Sequence, residues 1–428
     1  MNAAVRPALP HGGDAPARYR FAIEGSLLLL QFAMGLSFLA VAPLFPLIID
    51  AYGVGRATAS LLVGVTALAV ALALVPCSLL AARLGPRVAL AIGGLLMGAM
   101  ALAPLASSFP LLLAARVLFA LGASLTLGAT PTVVMRWFPA RDLAAVNGAN
   151  VIAQSLGVTC SMLAGSRIAA AVGWDGALFA FASVTLSATA LWLVVARDRG
   201  GAPATTGALG AALLAMPAIL RDRATLLLGA GLAGGLGAFI TLSSWLPTYY
   251  HEQFGFSLEK AGTVGGMLSF FGIVGSLLGS TLPVRLPHRR PFLITAGLVI
   301  PVAAFGCFAS ANPLLLYPSV VVLGVMGWIF MPVVFTIPME LPGMTPERVG
   351  IVVATVLGAG NLSGFVAPLF VGYLRDQTGA FSLGLGIASS LALVLALCGY
   401  LMPETGGRAA AALRHEGHEE GRLVTPSP

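Results

Sequence analysis

Of the 428 residues, 58% are hydrophobic and 9% are charged, and the mean hydropathy is +0.95. A water-soluble domain carries about 25% charged residues, so this composition excludes one and makes lipid the solvent. The net charge of +7 does not imply a nucleic-acid partner: every basic residue except Lys260 is an arginine, set singly or in pairs at the ends of apolar runs, the pattern of membrane orientation.

The chain opens with a tail, residues 1–24, that carries Arg6, Arg18 and Arg20. The apolar run beginning near Gly25 is longer than the core of a cleavable signal and reads as the first spanning helix. About 20 apolar residues cross a hydrocarbon core of ~30 Å. Runs of that kind fall at 25–49, 57–81, 88–108, 111–135, 145–171 and 176–196. They resume at 225–249, 260–283, 292–310, 314–338, 350–373 and 381–402. The expected fold is therefore an all-α membrane protein with twelve transmembrane helices in two pseudo-symmetric six-helix bundles, residues 25–196 and 225–402. Residues 197–224 form a cytoplasmic linker. Its apolar middle, Ala208 to Leu220, is too short to cross, is interrupted by Pro217, and is expected to lie at the interface. The tail, residues 403–428, is polar and expected to be disordered and cytoplasmic.

With the N-terminus inside, nearly all the arginines fall on the cytoplasmic side, and Arg56, Arg116, Arg167, Lys260 and Arg375 are the exceptions. Both termini are thus placed in the cytoplasm and the chain in the inner membrane. A ten-residue stretch occurs twice: Ser78-Leu-Leu-Ala-Ala-Arg-Leu-Gly-Pro-Arg87 and Ser280-Thr-Leu-Pro-Val-Arg-Leu-Pro-His-Arg289. Each copy sets two arginines, Arg83 and Arg87 or Arg285 and Arg289, into a turn that joins two spans. The four cysteines, Cys77, Cys160, Cys307 and Cys398, sit in apolar runs without CxxC spacing, so neither a disulfide nor a metal site follows.

Twelve spans in a six-plus-six duplication, with a basic turn between the second and third helix of each half, resemble the major facilitator superfamily over residues 20–403. The family turn usually reads Gly-x-x-x-Asp-Arg-x-Gly-x-Arg. Gly85 and the arginines are kept, whereas Ser78 and Ala82 replace the glycine and the acid; in the second copy Ser280, Val284 and Pro287 depart. Arg116-Val-Leu-Phe-Ala-Leu-Gly122 and Trp137-Phe-Pro-Ala-Arg141 are similar to the family's fourth helix and its exit. The segment Ser243-Ser-Trp-Leu-Pro-Thr-Tyr-Tyr250 with Phe256-Ser-Leu-Glu-Lys-Ala-Gly262 resembles the cyanate-type and anion:cation symporter branches. The resemblance implies alternating access around a midplane site, with the basic turns as cytoplasmic gates. The missing acid implies that charge latching is weaker or is supplied from elsewhere.

Polar residues inside the spans are the candidate substrate contacts. Arg116, inside the fourth span, is an anion contact or coupling residue, or else makes a helix-packing hydrogen bond. Gln154-Ser-Leu-Gly157 and Asn361-Leu-Ser-Gly364 occupy equivalent places in the fifth and eleventh spans, so Gln154 and Asn361 face one cavity from opposite walls, or glue helices together. Gln31 is a further cavity candidate. Trp245 belongs to an aromatic belt or stands over the cavity as an outer gate. No carboxylate occupies the middle of a span, and the five histidines lie in loops and tails, which leaves Glu24 and Asp50 as candidates for coupling to a proton.

An enzyme would need a nucleophile with a base, or clustered metal ligands, at depth, and an ATP-driven pump would need a phosphate loop; neither pattern occurs. No catalytic residue and no cofactor are expected. The expectation is a monomeric secondary transporter of a small solute, an anion by the balance of buried charge. A hydrophobic-compound efflux carrier and a non-transporting receptor are the alternatives.

Overall fold

In lipid a spanning segment must satisfy its own backbone, and the spans are helical, with no strand among the described residues. This computed structural model describes residues 19–139, 142–197, 221–286, 288–341, 344 and 346–406. Residues 1–18, Arg141, the linker between 198 and 220 with its interfacial segment, Pro287, and the tail beyond Gly406 lie outside the described residues.

The first apolar run is not one helix. It divides into α1 (Tyr19–Phe38), a short 3-10 turn at Ala42–Leu44 and α2 (Phe45–Tyr52), because Pro43 and Pro46 lack the N–H groups that would continue α1 and instead begin new helical turns. There follow α3 (Arg56–Leu84), α4 (Pro86–Met97), which continues as 3-10 helix through Leu105, and α5 (Phe109–Trp137). The basic turn between α3 and α4 rests on Gly85, whose φ of +81° a side chain would strain.

Next comes α6 (Leu143–Val195), 53 residues long. An unbroken helix of that length would measure ~80 Å, well over twice the hydrocarbon core. It is interrupted at Gly173, where φ is 83° and ψ is 163°. The C-terminal helices are α7 (Arg223–Phe254), α8 (Leu258–Arg285), α9 (Arg290–Ala309), α10 (Pro313–Ile329), α11 (Met331–Glu340), α12 (Pro346–Thr378), α13 (Ser382–Ser390) and α14 (Ala392–Leu401). Asp222, Ser257 and Asn312 cap α7, α8 and α10 by accepting from backbone amides. Eleven stretches of the described residues are helical, long and apolar enough to cross a membrane, one of them containing Gly173.

Packing is densest among the N-terminal helices α1–α6 and, separately, among the C-terminal helices α7–α14. The two sets meet where α3 crosses α12 and where α6 crosses α8. Along α3 these contacts run from Ala57, against Gly372, through Gly64, against Phe365, to Ala71, opposite Gly358. They therefore gather toward the end of the molecule that carries Arg56, called here the joined end.

Gly173→Ala is expected to lower the thermal unfolding midpoint of the purified protein. The backbone conformation there is nearly exclusive to glycine, at a cost of about 1–3 kcal/mol, and an added Cβ would come 2.5 Å from Asp175 Oδ1. An unchanged midpoint would show that the break does not depend on glycine.

Candidate functional site

Where α1 stops, its last carbonyls have no helical N–H to receive. Arg116 of α5 supplies the donors. Its Nε donates to Leu62 O at 2.6 Å, one Nη to Ser37 O at 2.6 Å and the other to Phe38 O, while the guanidinium lies over the Phe119 ring. Arg116 is 0% exposed, and none of these partners is a carboxylate. With its donors engaged this way, Arg116 pins the broken first helix to α3 and α5, the packing alternative raised by the sequence.

Beyond the break, Phe45 reaches the C-terminal helices and packs its ring at a tilt against Trp245 of α7, with centroids 5.2 Å apart. Trp245 is 0% exposed, donates from Nε1 to Pro368 O at 2.9 Å and touches Phe381 on its other side. It lies inside the contact between the two sets of helices and lines neither of the cavities described below.

Outside this apolar plug lies a charged clasp. Glu252, near the end of α7, accepts from Arg56 at 3.0 Å and from Arg375 of α12 at 3.1 Å. Asp376 accepts from the backbone amides of Arg56 and Ala57 at 3.2 and 3.1 Å. A carboxylate from a C-terminal helix thus caps the N-terminus of α3 in the N-terminal set. Asp50 lines a cavity of about 320 Å³ at this end, together with Arg56, His251, Glu252 and Arg375.

The amide candidates lie deeper. Gln31 is buried and donates to Thr130 Oγ1 at 2.8 Å, leaving its Oε1 without a partner. Asn361 is 7% exposed and donates to Leu357 O. It stands between Gly358 and Gly364, which meet α3 at Ala71 and Ala67. Gln154 is half-buried on α6, where its backbone carbonyl packs against Gly35 of α1. Gln154 and Asn361 thus sit on two of the helices by which the two sets meet, α6 and α12. Glu24 lies one span-half away from Gln31 on α1 and accepts from Asn150 of α6.

At the opposite end the described bonds run within each set. Arg20 pairs with Asp142 at 3.7 Å. Arg83 is exposed, and Arg87 donates to Leu193 O. In the second basic turn Arg285 is exposed, while Arg289 grips Glu340 at the end of α11 at 2.6 Å and donates from its backbone to Glu404. Thr405 donates to the other Glu340 oxygen. The hydrogen bonds that Arg289 donates to Glu340 raise the arginine's pKa above its ordinary high value. A cavity of about 310 Å³ opens beside it, between Gly279, Ser280, Pro332 and Thr336.

The sequence profile of the Major Facilitator Superfamily matches residues 27–368. The chain belongs to the Major Facilitator Superfamily. It is 25% identical over 374 residues to a putative tartrate transporter of Agrobacterium vitis, covering 78% of this chain and 79% of the relative. A probable sulfoacetate transporter of Cupriavidus necator is 26% identical over 344 residues, 74% of this chain and 78% of that one. An MFS-type efflux pump of Mycolicibacterium smegmatis is 26% identical over 311 residues, 69% of this chain and 70% of its own. The crystal structure of a D-xylose-proton symporter superposes with a TM-score of 0.72 at 16% identity, over 90% of this chain and 99% of that one, a likeness of fold alone. Members of the superfamily are transporters, not enzymes.

Within the superfamily frame, the acid missing from the first basic turn, at Ala82, is also missing from the second, at Val284. In the second copy, acids from outside the motif, Glu340 and Glu404, take its place. Glu252 and Asp376 are not among the residues that the sequence singles out. The available signal was the pair Arg56 and Arg375, two arginines on the side where arginines are scarce.

Arg116→Met nearly keeps the volume but strands the carbonyls of Ser37 and Phe38 at the end of α1, each worth about 1–3 kcal/mol when unsatisfied, while Leu62 O keeps its place in the α3 ladder. The expected outcome is a loss of at least ~2 kcal/mol of stability, read as a lower thermal midpoint in detergent. Wild-type stability would show that Arg116 is not a structural pin.

Proposed function

We propose that the chain is a twelve-span secondary carrier of small organic or inorganic anions that works by alternating access between two six-helix bundles, with Gly173 separating the fifth and sixth spans. The observation that carries this reading is the one-sided clasp: side chains of the two sets of helices bond to each other at the joined end, while the charged networks described at the other end stay within each set. The arginine distribution assigns the joined end to the outside and both termini to the cytoplasm. The conformation is then inward-facing, with Trp245 and Phe45 as the outer plug and the basic turns at the open cytoplasmic mouth.

Three features support an anion as the substrate. Arg116 is a buried cation compensated by carbonyl dipoles rather than by an acid, so it biases the potential inside the bundle toward negative solutes without touching them. Gln31, Gln154 and Asn361 offer amides on both sides of the interface to orient an oxyanion or hydroxyl. The names of the relatives, tartrate and sulfoacetate, point the same way.

The purified protein is expected to be stabilised against heat by millimolar tartrate or sulfoacetate, since a ligand of the native state raises stability by mass action. Gln154→Ala and Asn361→Ala should each weaken that effect about tenfold in concentration, corresponding to ~1.4 kcal/mol. Stabilisation by bulky hydrophobic cations alone would overturn the anion reading and favour efflux.

Glu252→Gln removes the charge that bridges Arg56 and Arg375 and should shift the population toward opening of the joined end. In a variant without the four native cysteines, labelling of Thr248→Cys by a membrane-impermeant thiol reagent added outside should rise severalfold. Unchanged labelling would count against the clasp as a gate.

A further inference from the structure

Glu24 and Arg116 are the buried charged side chains among the described residues, and Glu24 has no cation beside it. It is 8% exposed and meets Asn150, 4% exposed, across the packing of α1 on α6. Asn150 Nδ2 donates to Glu24 Oε1 at 2.8 Å and to Val146 O at 3.0 Å, which uses both of its amide hydrogens. Two atoms remain, Glu24 Oε2 and Asn150 Oδ1, each buried without a partner. An ionised carboxylate and an amide oxygen can only accept. The site therefore lacks one hydrogen.

We propose that Glu24 and Asn150 form a proton-binding site in which Glu24 is held as the neutral acid. A proton on Oε2 donates to Asn150 Oδ1 while Asn150 Nδ2 donates to Oε1, closing a two-bond acid–amide ring. The proton comes from water and returns to it, and no other bond changes. Loss of the proton leaves a buried carboxylate and an amide oxygen with no donor for either, an arrangement relieved by water, by a cation or by separation of α1 from α6.

Among the described residues no ion pair or charged hydrogen bond reaches Glu24. Arg20, one turn away on α1, pairs with Asp142 at the start of α6. Arg197, past the end of α6, lies over the Tyr19 ring at 4.6 Å. Arg136 closes the last turn of α5. The hydrogen bond that Glu24 makes is to Asn150. A sodium ion would also satisfy two oxygen acceptors, but a proton completes the ring with the donors and acceptors already in place. That this proton drives transport rests on the carrier reading above; its presence does not.

Infrared difference spectra of the full-length protein at pH 7, wild type minus Glu24→Gln, test the site without any substrate. The expected result is a protonated carboxylic C=O band that is absent from the variant, shifts down in deuterium oxide, and moves to higher frequency in Asn150→Ala as its hydrogen bonds are lost. A spectrum showing carboxylate bands alone, or carboxylate bands that change on adding sodium, would overturn the proposal. In proteoliposomes, stimulation of tartrate accumulation by an imposed pH gradient should disappear in Glu24→Gln. Persistence of that stimulation would remove Glu24 from coupling, whereas a missing tartrate response with the infrared band intact would sink the substrate assignment alone.

Discussion

The constraint on which this structure depends is that no backbone polar group can be left open in lipid. At several helix ends a side chain from another helix completes the backbone. Arg116 closes the end of α1 on Ser37 and Phe38, Tyr52 donates to Ala106 O, Tyr249 to Phe308 O and Tyr19 to Val195 O. Asp376 does the same for the amides that begin α3, and it does so across the contact between the two sets of helices. That last case differs in consequence. When water enters the joined end, the exposed amides and the carboxylate exchange one partner for another, and such an exchange is worth about 1.5–3 kcal/mol per bond to the charged group. A clasp built of such bonds holds one state without trapping it.

Charge is distributed in keeping with the same constraint. The acids of the clasp, Glu252 and Asp376, and those at the other end, Glu340 and Glu404, stand at helix ends where water is within reach and each meets an arginine or a backbone amide. The two basic turns, alike in sequence, have diverged in partners: Arg289 holds Glu340, whereas Arg87 holds only the carbonyl of Leu193.

Much of the fold was legible because lipid makes hydrophobic run length nearly sufficient. The gap left between the runs ending at 171 and beginning at 176 coincides with Gly173, where the backbone leaves the helix. The break in the first run was not legible, since Leu39 to Val41 is as apolar as its neighbours and the prolines that enforce it, Pro43 and Pro46, come after it. The partners of Arg116 were invisible for a different reason: they are backbone carbonyls, and no residue type announces them. Asn150, taken alone, is one more polar residue within a span. Only its contact with Glu24, far away in sequence, turns two ordinary polar residues into a site with an unfilled hydrogen.

The glycines separate rigid contacts from separable ones. Within the N-terminal set, a Cβ on Gly35 would fall 1.9 Å from Gln154 O and one on Gly157 2.1 Å from Phe32 O; within the C-terminal set, Gly275 and Gly279 approach Val325 O and Ile329 O to 2.1 and 2.0 Å. These are backbone contacts with no slack, so a shift of one helix displaces its neighbour as well. Between the sets the approaches are looser: an added Cβ would fall 2.9 Å from the Phe365 ring at Gly64, 2.8 Å from Ala57 N at Gly372, 2.5 Å from Leu163 at Gly266 and 2.8 Å from Met162 O at Gly262. The closest backbone approaches thus lie inside each set and the looser ones between them, an arrangement that suits the rocking of two bodies about a shared site proposed above.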